Sequence, residues 1–124
     1  MTLLSVDGLF SRYFTSKGPV YAVDDVDFQL DIGESLGIAG ESACGKSTLG
    51  LSLIRMLIGG ESSGKIIFDN NSILDLSDSE FDEKFRWKKI SMIFQGAMNS
   101  LDPIFTIRQQ FNEILKQHDG TLTV

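Results

Sequence analysis

The apolar positions in the first third of the chain recur with the period of β-strands. The run from Leu3 to Phe10 is rich in apolar residues and predicts a first strand. In VDDVDFQLDI, residues 23–32, an apolar side chain stands at every second position from Val26 onwards, with polar side chains between. This alternation indicates a strand with one buried face. The shorter run SLGIAG, residues 35–40, predicts a buried strand that leads into a glycine-rich loop.

Beyond this loop the pattern predicts a buried helix and two more strands. The stretch from Ser47 to Ile58 is apolar on nearly all sides, which is typical of a buried helix, and Gly59 and Gly60 would end it. GKIIFDN, residues 64–70, predicts a strand that enters a turn at two asparagines. ISMIFQ, residues 90–95, is almost entirely apolar up to its glutamine, as is expected of a buried parallel strand.

The last part of the chain carries the signals of two amphipathic helices. Ser77 and Glu80 have the spacing of a capping box and predict the start of a charged helix that continues to about residue 89. Its buried stripe would consist of Phe81 and Phe85, one turn apart. A final helix is capped by Thr106 and has four apolar positions on one face: Ile107, Phe111, Ile114 and Leu115.

The composition narrows the class of protein without naming a function. Hydrophobic residues make up 42% of the 124 residues, which is enough for a packed core. The net charge of −6 disfavours nucleic acid as the main partner, because neutralising phosphates needs a basic face. One cysteine, Cys44, excludes an internal disulfide. The first residues lack the pattern of a signal peptide, and no apolar run approaches the roughly 20 residues of a membrane span. We therefore expect a globular cytosolic protein.

The loop GESACGKS, residues 40–47, matches the phosphate-binding pattern G-x-x-x-x-G-K-[ST]. Its glycines allow successive backbone N–H groups to turn towards an anion. The positive N-terminal end of the next helix dipole also attracts this anion. Lys46 would reach the terminal phosphates of a nucleotide, and the Ser47 hydroxyl would bind Mg²⁺. The alternative is a glycine-rich turn that only joins strand and helix. The predicted strand before the loop and helix after it favour the phosphate loop.

Two long stretches resemble the ATP-binding subunits of ABC transporters. They are VYAVDDVDFQLDIGESLGIAGESACGKSTL and ISMIFQGAMNSLDPIFTIRQQFNEILKQH, which extends through the family's glutamine (Q) loop. The GES opening of the loop, SMIFQ and MNSLDP resemble the oligopeptide and dipeptide importer branch. The resemblance covers about Leu3 to His118. It implies an α/β P-loop NTPase fold, with an antiparallel β region at about 1–35, a P-loop core with an incomplete parallel sheet at 36–96, and the start of a helical subdomain at 97–124.

The resemblance also implies a site for ATP and Mg²⁺. Tyr13 stands where the family has the aromatic residue that stacks on adenine. The alternatives are that Tyr13 is a packed core residue at the end of a strand, or that Phe14 next to it is the residue that stacks. Gln95 matches the Q-loop glutamine, which completes the Mg²⁺ shell with Ser47 and, with Lys46, serves catalysis. The nucleotide-binding residues carried over with Tyr13 are Gly40, Glu41, Ser42, Ala43, Cys44, Gly45, Lys46, Ser47 and Thr48.

Two departures from the importer branch lie close to this site. Ala43 stands where glycine is usual, so the residue must adopt a negative φ or accept backbone strain. Gly96 and Ala97 replace the usual Asp-Pro after the glutamine. Neither departure removes a ligand. Cys44 is either a thiol made reactive by the helix N-terminus or simply a small residue that fits the loop.

The function that the resemblance implies is ATP-driven uptake of oligopeptides or dipeptides at the cytoplasmic face of the membrane. The implied partners are transmembrane permease subunits and a second, identical or different, ATP-binding subunit. A different phosphate-loop enzyme, such as a small kinase, and a non-catalytic truncated scaffold remain as alternatives. The kinase alternative does not explain Tyr13, Gln95 and MNSLDP together.

Three motifs that the family carries further along its sequence do not occur before Val124: the signature motif, the acid-ended Walker B strand and the switch histidine. ILDLSD, residues 73–78, lies before the Q loop and is rejected as Walker B. We therefore expect the chain to be the N-terminal part of a longer ATPase that binds nucleotide incompletely and is inactive alone. Because strands of a parallel sheet would then lack neighbours, we expect it to oligomerise, swap strands or rearrange locally.

Overall fold

The computed structural model describes residues 1–118, with the backbone only at Ala97. The strands are β1 (Thr2–Thr15), β2 (Gly18–Asp31), β3 (Gly60–Phe68) and β4 (Asn71–Ser72). The helices are α1 (Lys46–Leu53), α2 (Asp78–Lys84) and α3 (Ile107–His118), and a 3₁₀ turn spans Ala97–Ser100. The last residues of the predicted helical subdomain, 119–124, lie outside the described part.

The four strands form one antiparallel sheet in the order β2-β1-β3-β4. The alternation seen in the sequence sets its register, since Val6 lies opposite both Phe28 of β2 and Ile66 of β3. The β3–β4 hairpin turns at Asp69 and Asn70, whose φ angles of 49° and 61° are those of a type I′ turn. The antiparallel region therefore contains β3 and β4 as well as the first two strands.

The core lies between one face of this sheet and the helices α1 and α2. The capping box at the start of α2 is confirmed: the Ser77 hydroxyl accepts from the Glu80 amide, and the Glu80 carboxylate accepts from the Ser77 amide. The helix ends at Lys84 and not near residue 89, and the two residues of the predicted stripe, Phe81 and the C-cap residue Phe85, are both buried. They pack in one cluster with six other buried side chains: Val6, Leu9, Val23, Leu49, Ile66 and Ile73.

The predicted buried strand at 35–40 and the predicted buried parallel strand at 90–95 are wrong, and the sheet of the described residues is antiparallel where a partly parallel one was expected. Residues 35–40 have no regular structure, and Leu36 and Ile38 are about half exposed. Residues 90–95 are irregular as well, and Ile93 is 93% exposed. A parallel strand needs a neighbour along its length for its backbone hydrogen bonds. Within residues 1–118 neither run pairs in a sheet, and the one parallel pairing is an isolated bridge between Arg86 and Ile90.

Helix α1 ends at Leu53, well before the two glycines that the sequence offers as its end. The amide of Met56 donates to the Leu51 carbonyl and that of Arg55 to the Ser52 carbonyl, which is the Schellman arrangement. Arg55 occupies its left-handed position, with φ 53°. Its guanidinium donates to two backbone carbonyls of the segment before α2 and pairs with Asp78. These tertiary contacts favour a helix end at a residue that is not glycine.

Candidate functional site

The glycine-rich loop meets α1 at Gly45, the N-cap residue of that helix. Its φ of 100° is available to glycine and strained for other residues. A Cβ atom here would also collide with the backbone carbonyl oxygen of Ala22 on β2. No side chain caps the helix, so the first amides of α1 are left to bind other acceptors. The backbone at Gly45 thus presents N–H groups and the positive helix end together.

The sequence left two possibilities for Ala43, a negative φ or backbone strain. Its φ is 63°, so the residue lies in the left-handed region and is strained. An alanine in the left-handed region costs about 1–2 kcal/mol compared with the right-handed one. The side chain is exposed, so no packing interaction offsets this strain. The loop therefore adopts the conformation that glycine would favour and accepts the strain.

The substitution Ala43→Gly is expected to raise the free energy of unfolding by about 0.5–1 kcal/mol. The relief of left-handed strain exceeds the extra entropy that glycine gives the unfolded chain. Urea unfolding followed by circular dichroism measures the change. Ala39→Gly is the matched control, because Ala39 is exposed and has no positive φ. It should lower stability, and a loss of stability in both variants would contradict the prediction.

The side chain of Lys46 lies across the loop. Its Nζ donates to the carbonyl oxygens of Gly40 and Glu41, at 2.6 Å each, and lies 3.3 Å from Sγ of Cys44. An ammonium group has three protons, so these contacts use its full donor capacity. A phosphate would have to replace at least one of these acceptors. Gly40 and Glu41 thus act through their carbonyls on Lys46.

Cys44 is exposed, and its environment favours the thiolate form. The hydrogen bond from Lys46 is the main cause that lowers the pKa of the Cys44 thiol. A lowered pKa raises the fraction of this thiol that is thiolate at a given pH.

A cavity of about 430 Å³ brings most of the predicted site residues together. Tyr13 stands at the end of β1, the phosphate loop forms the floor, and Gln95 comes from the irregular segment after α2. The residues that line it are Tyr13, Ala22, Ser42, Ala43, Cys44, Gly45, Lys46, Ser47, Thr48 and Gln95. Gly40 and Glu41 do not line it. Ala22 was missed by the sequence analysis, because it lies on β2, far from the loop in sequence, and its methyl side chain gives no chemical signal.

Tyr13 is the aromatic residue that this cavity contains, whereas Phe14 does not line it. The Tyr13 side chain is half-buried, and its Oη lies 3.3 Å from Oγ1 of Thr48 on α1. Opposite it on β3 stands Gly60, where a Cβ atom would lie 3.2 Å from Cδ1 of the ring. The absence of a side chain at Gly60 therefore leaves room for this ring orientation. Phe14 instead lies under the guanidinium of Arg12, 5.4 Å from the ring centroid.

Ser47 and Gln95 line the same cavity and offer it a hydroxyl and an amide oxygen. Oxygen atoms are the ligands that Mg²⁺ prefers, and Mg²⁺ is usually held by few protein groups together with phosphates and water. Among residues 1–118 no group of three or more His, Cys, Asp or Glu side chains could hold a metal ion. The donor set fits Mg²⁺ that arrives with a nucleotide.

The sequence from 23 to 123 matches the protein family described as ABC transporter. The chain belongs to this family. Family membership implies ATP binding, usually with Mg²⁺, and a P-loop fold; the described residues themselves contain the antiparallel sheet and the loop. In the described part of this ABC transporter chain, no helix is both long and apolar enough to cross a membrane.

Curated relatives of this ABC transporter chain are named for oligopeptide transport. It is 42% identical over 119 residues to the oligopeptide transport ATP-binding protein OppD of Haemophilus influenzae. The aligned residues make up 95% of this chain and 36% of that relative. It is 41% identical over 122 residues to AppD of Bacillus subtilis, and the alignment covers 94% of this chain and 36% of AppD. OppD of Escherichia coli is 41% identical over 117 residues, and the alignment covers 94% of this chain and 34% of that protein. The chain thus spans about a third of the length of the relatives it matches.

Proposed function

We propose that this chain is the nucleotide-binding part of the ATP-binding subunit of an ABC importer for oligopeptides or dipeptides. The observation that supports this most is the cavity in which Tyr13, the phosphate loop and Gln95 meet. These three features come from separate parts of the chain, and a glycine turn that only linked two elements would not require them to face one space. The names of the relatives support the importer class and its cargo.

Each part of the cavity has a role in this proposal. The amides at the start of α1 and the ammonium of Lys46 bind the phosphates. Ser47 and Gln95 offer oxygen ligands to Mg²⁺, which when bound neutralises charge on the β- and γ-phosphates. The ring of Tyr13 stacks on the base, a contact worth about 1–3 kcal/mol. Lys46 and Gln95 are the proposed catalytic residues, in the sense that both touch the phosphates or their metal.

The proposed partners are transmembrane permease subunits and a second ATP-binding subunit, with the protein at the cytoplasmic face of the membrane. ATP hydrolysis is proposed for a protein of the relatives' full length, and inactivity for the present chain alone. We also propose that the chain on its own self-associates or swaps strands. The exposure of Leu36, Ile38 and Ile93 supports this, because exposed apolar side chains favour association.

Lys46→Ala is expected to weaken the binding of Mg-ATP by about 10- to 100-fold. The lysine supplies a charge-assisted hydrogen bond to phosphate, worth about 1.5–3 kcal/mol. Isothermal titration of the chain with Mg-ATP measures the dissociation constant. Lys65→Ala is the matched control, because it removes an exposed lysine of β3 that does not line the cavity. Binding that is absent, or that does not depend on Lys46, would favour the non-catalytic scaffold.

A further inference from the structure

Hydroxyl groups are buried between the sheet and α1, where the rest of the core is apolar. In the described part of the chain the buried polar side chains are Ser11, Thr48 and Ser52, at 0%, 8% and 1% exposure. A buried hydroxyl destabilises a fold unless it forms hydrogen bonds. No buried polar side-chain atom within residues 1–118 lacks a partner. These three residues therefore satisfy one another or nearby groups.

The contacts lead from β3 to the cavity and pass through both the backbone carbonyl and the side chain of Thr48. Oγ of Ser11 lies 2.9 Å from Oγ of Ser62 and 2.7 Å from Oγ of Ser52. Ser52 donates to the backbone carbonyl of Thr48 at 2.7 Å. Oγ1 of Thr48 lies 3.3 Å from Oη of Tyr13. We call these five residues the hydroxyl network.

The periods of strand and helix explain how these residues meet. Ser11 and Tyr13 are two apart on β1 and share its inner face. Thr48 and Ser52 are four apart on α1 and share one side of the helix. Ser11 is the direct cross-strand partner of Ser62. The network thus joins one face of β1 to one side of the helix that carries the phosphate loop.

Directional bonds at this interface have a consequence that apolar packing would not have. Hydrogen bonds weaken steeply with distance and angle, whereas apolar burial depends mainly on area. The network therefore sets where α1 sits along β1, and with it the separation between the Tyr13 ring and the phosphate loop. A nucleotide spans that separation, because its base and its phosphates are covalently connected.

We propose that Ser11, Ser52 and the Tyr13 hydroxyl are positioning groups that hold the base-stacking ring in register with the phosphate loop. This rests on the proposed function, because it assumes that Tyr13 stacks on the base. The network then favours a ligand that contacts ring and loop at once over one that contacts the loop alone. Ser11 and Ser52 do not line the cavity, so they act through Thr48 and Tyr13.

The test compares Mg-ATP with Mg-tripolyphosphate, which has the phosphates but no base. Tyr13→Phe keeps the aromatic face and removes the hydroxyl; Ser52→Ala removes the central link, while Ser11 keeps Ser62 as partner. We expect each variant to weaken Mg-ATP binding about 3- to 10-fold, as expected for one hydrogen bond, and tripolyphosphate binding less than about twofold. Tyr21→Phe is the matched control, since it removes the other tyrosine hydroxyl, which accepts from Arg12.

The double variant Tyr13→Phe, Ser52→Ala separates one network from two independent effects. If both groups act by fixing the same position of α1 along β1, the double variant loses about as much affinity for Mg-ATP as the weaker-binding single variant. Equal weakening of both ligands would overturn the proposal, because it would indicate general damage to the loop. Unchanged preference for Mg-ATP in both single variants would overturn it too, while leaving the proposed function intact. If Lys46→Ala left Mg-ATP binding unchanged, the proposed function would fail first, and this inference with it.

Discussion

Gly45→Ala is expected to reduce the affinity for Mg-ATP by more than about tenfold and the free energy of unfolding by about 2 kcal/mol or more. Two effects add at this position. A left-handed alanine costs about 1–2 kcal/mol. The new Cβ would also collide with the carbonyl oxygen of Ala22, a backbone atom within the sheet that cannot move freely. The loop must shift, and its amides would then no longer converge on one anion.

Two other glycines separate these effects. Gly33 has a φ of 82° but open space around its Cβ position, so Gly33→Ala tests strain alone. Gly37 has open space and no positive φ, so Gly37→Ala should be nearly neutral. Urea unfolding and Mg-ATP titration of the three variants give the ranking. If Gly45→Ala matched Gly33→Ala in stability and bound Mg-ATP normally, the collision would have no effect and the account of this loop would be wrong.

Phe81→Ala is expected to lower the free energy of unfolding by about 3–5 kcal/mol, a large part of the total stability of a single domain. The ring is fully buried and stacks on Phe85, with 5.9 Å between centroids. The guanidinium groups of Arg55 and Arg86 lie 5.1 and 5.2 Å from its centroid. The substitution thus leaves a cavity and removes the aromatic partner of two cations.

Urea unfolding measures this loss, and two variants provide the comparison. Phe81→Leu keeps much of the volume and should cost clearly less than the alanine variant. Phe111→Ala deletes the same atoms from a side chain on α3 that is 56% exposed, and should change stability by less than about 1 kcal/mol. Similar losses at Phe81 and Phe111 would show that the core is not centred on Phe81.

Features whose partners lie within one helical turn could be predicted from the chain alone. The capping box of Ser77 and Glu80 is an example. Thr106 is another: it accepts from the amide of Gln109, and its own amide donates to the Gln109 side chain. The phosphate-loop pattern and the alternation of β2 are equally local. For the two caps the interacting groups are close in sequence, and for the loop and β2 the spacing of residue types along the chain contains the necessary information.

Features that depend on distant partners could not be predicted in this way. The runs at 35–40 and 90–95 have the composition of buried strands, but composition does not supply the neighbouring strand. Helix α1 ends early because Arg55 contacts the backbone of Ile73 and Leu76, about twenty positions away. The strain at Ala43 likewise follows from how the loop turns onto α1.

Residue order along this chain was therefore enough to indicate the ABC transporter resemblance, the phosphate loop, the caps and the half-buried strands. Three-dimensional packing alone brought Tyr13, Gln95 and the loop to one cavity, and joined Ser11 to Ser52 across 41 positions. The reason is that hydrogen bonding within a turn, and the two-residue period of side chains along a strand, are set by neighbouring residues. Which surfaces meet depends on the burial and directional bonding available to the whole fold.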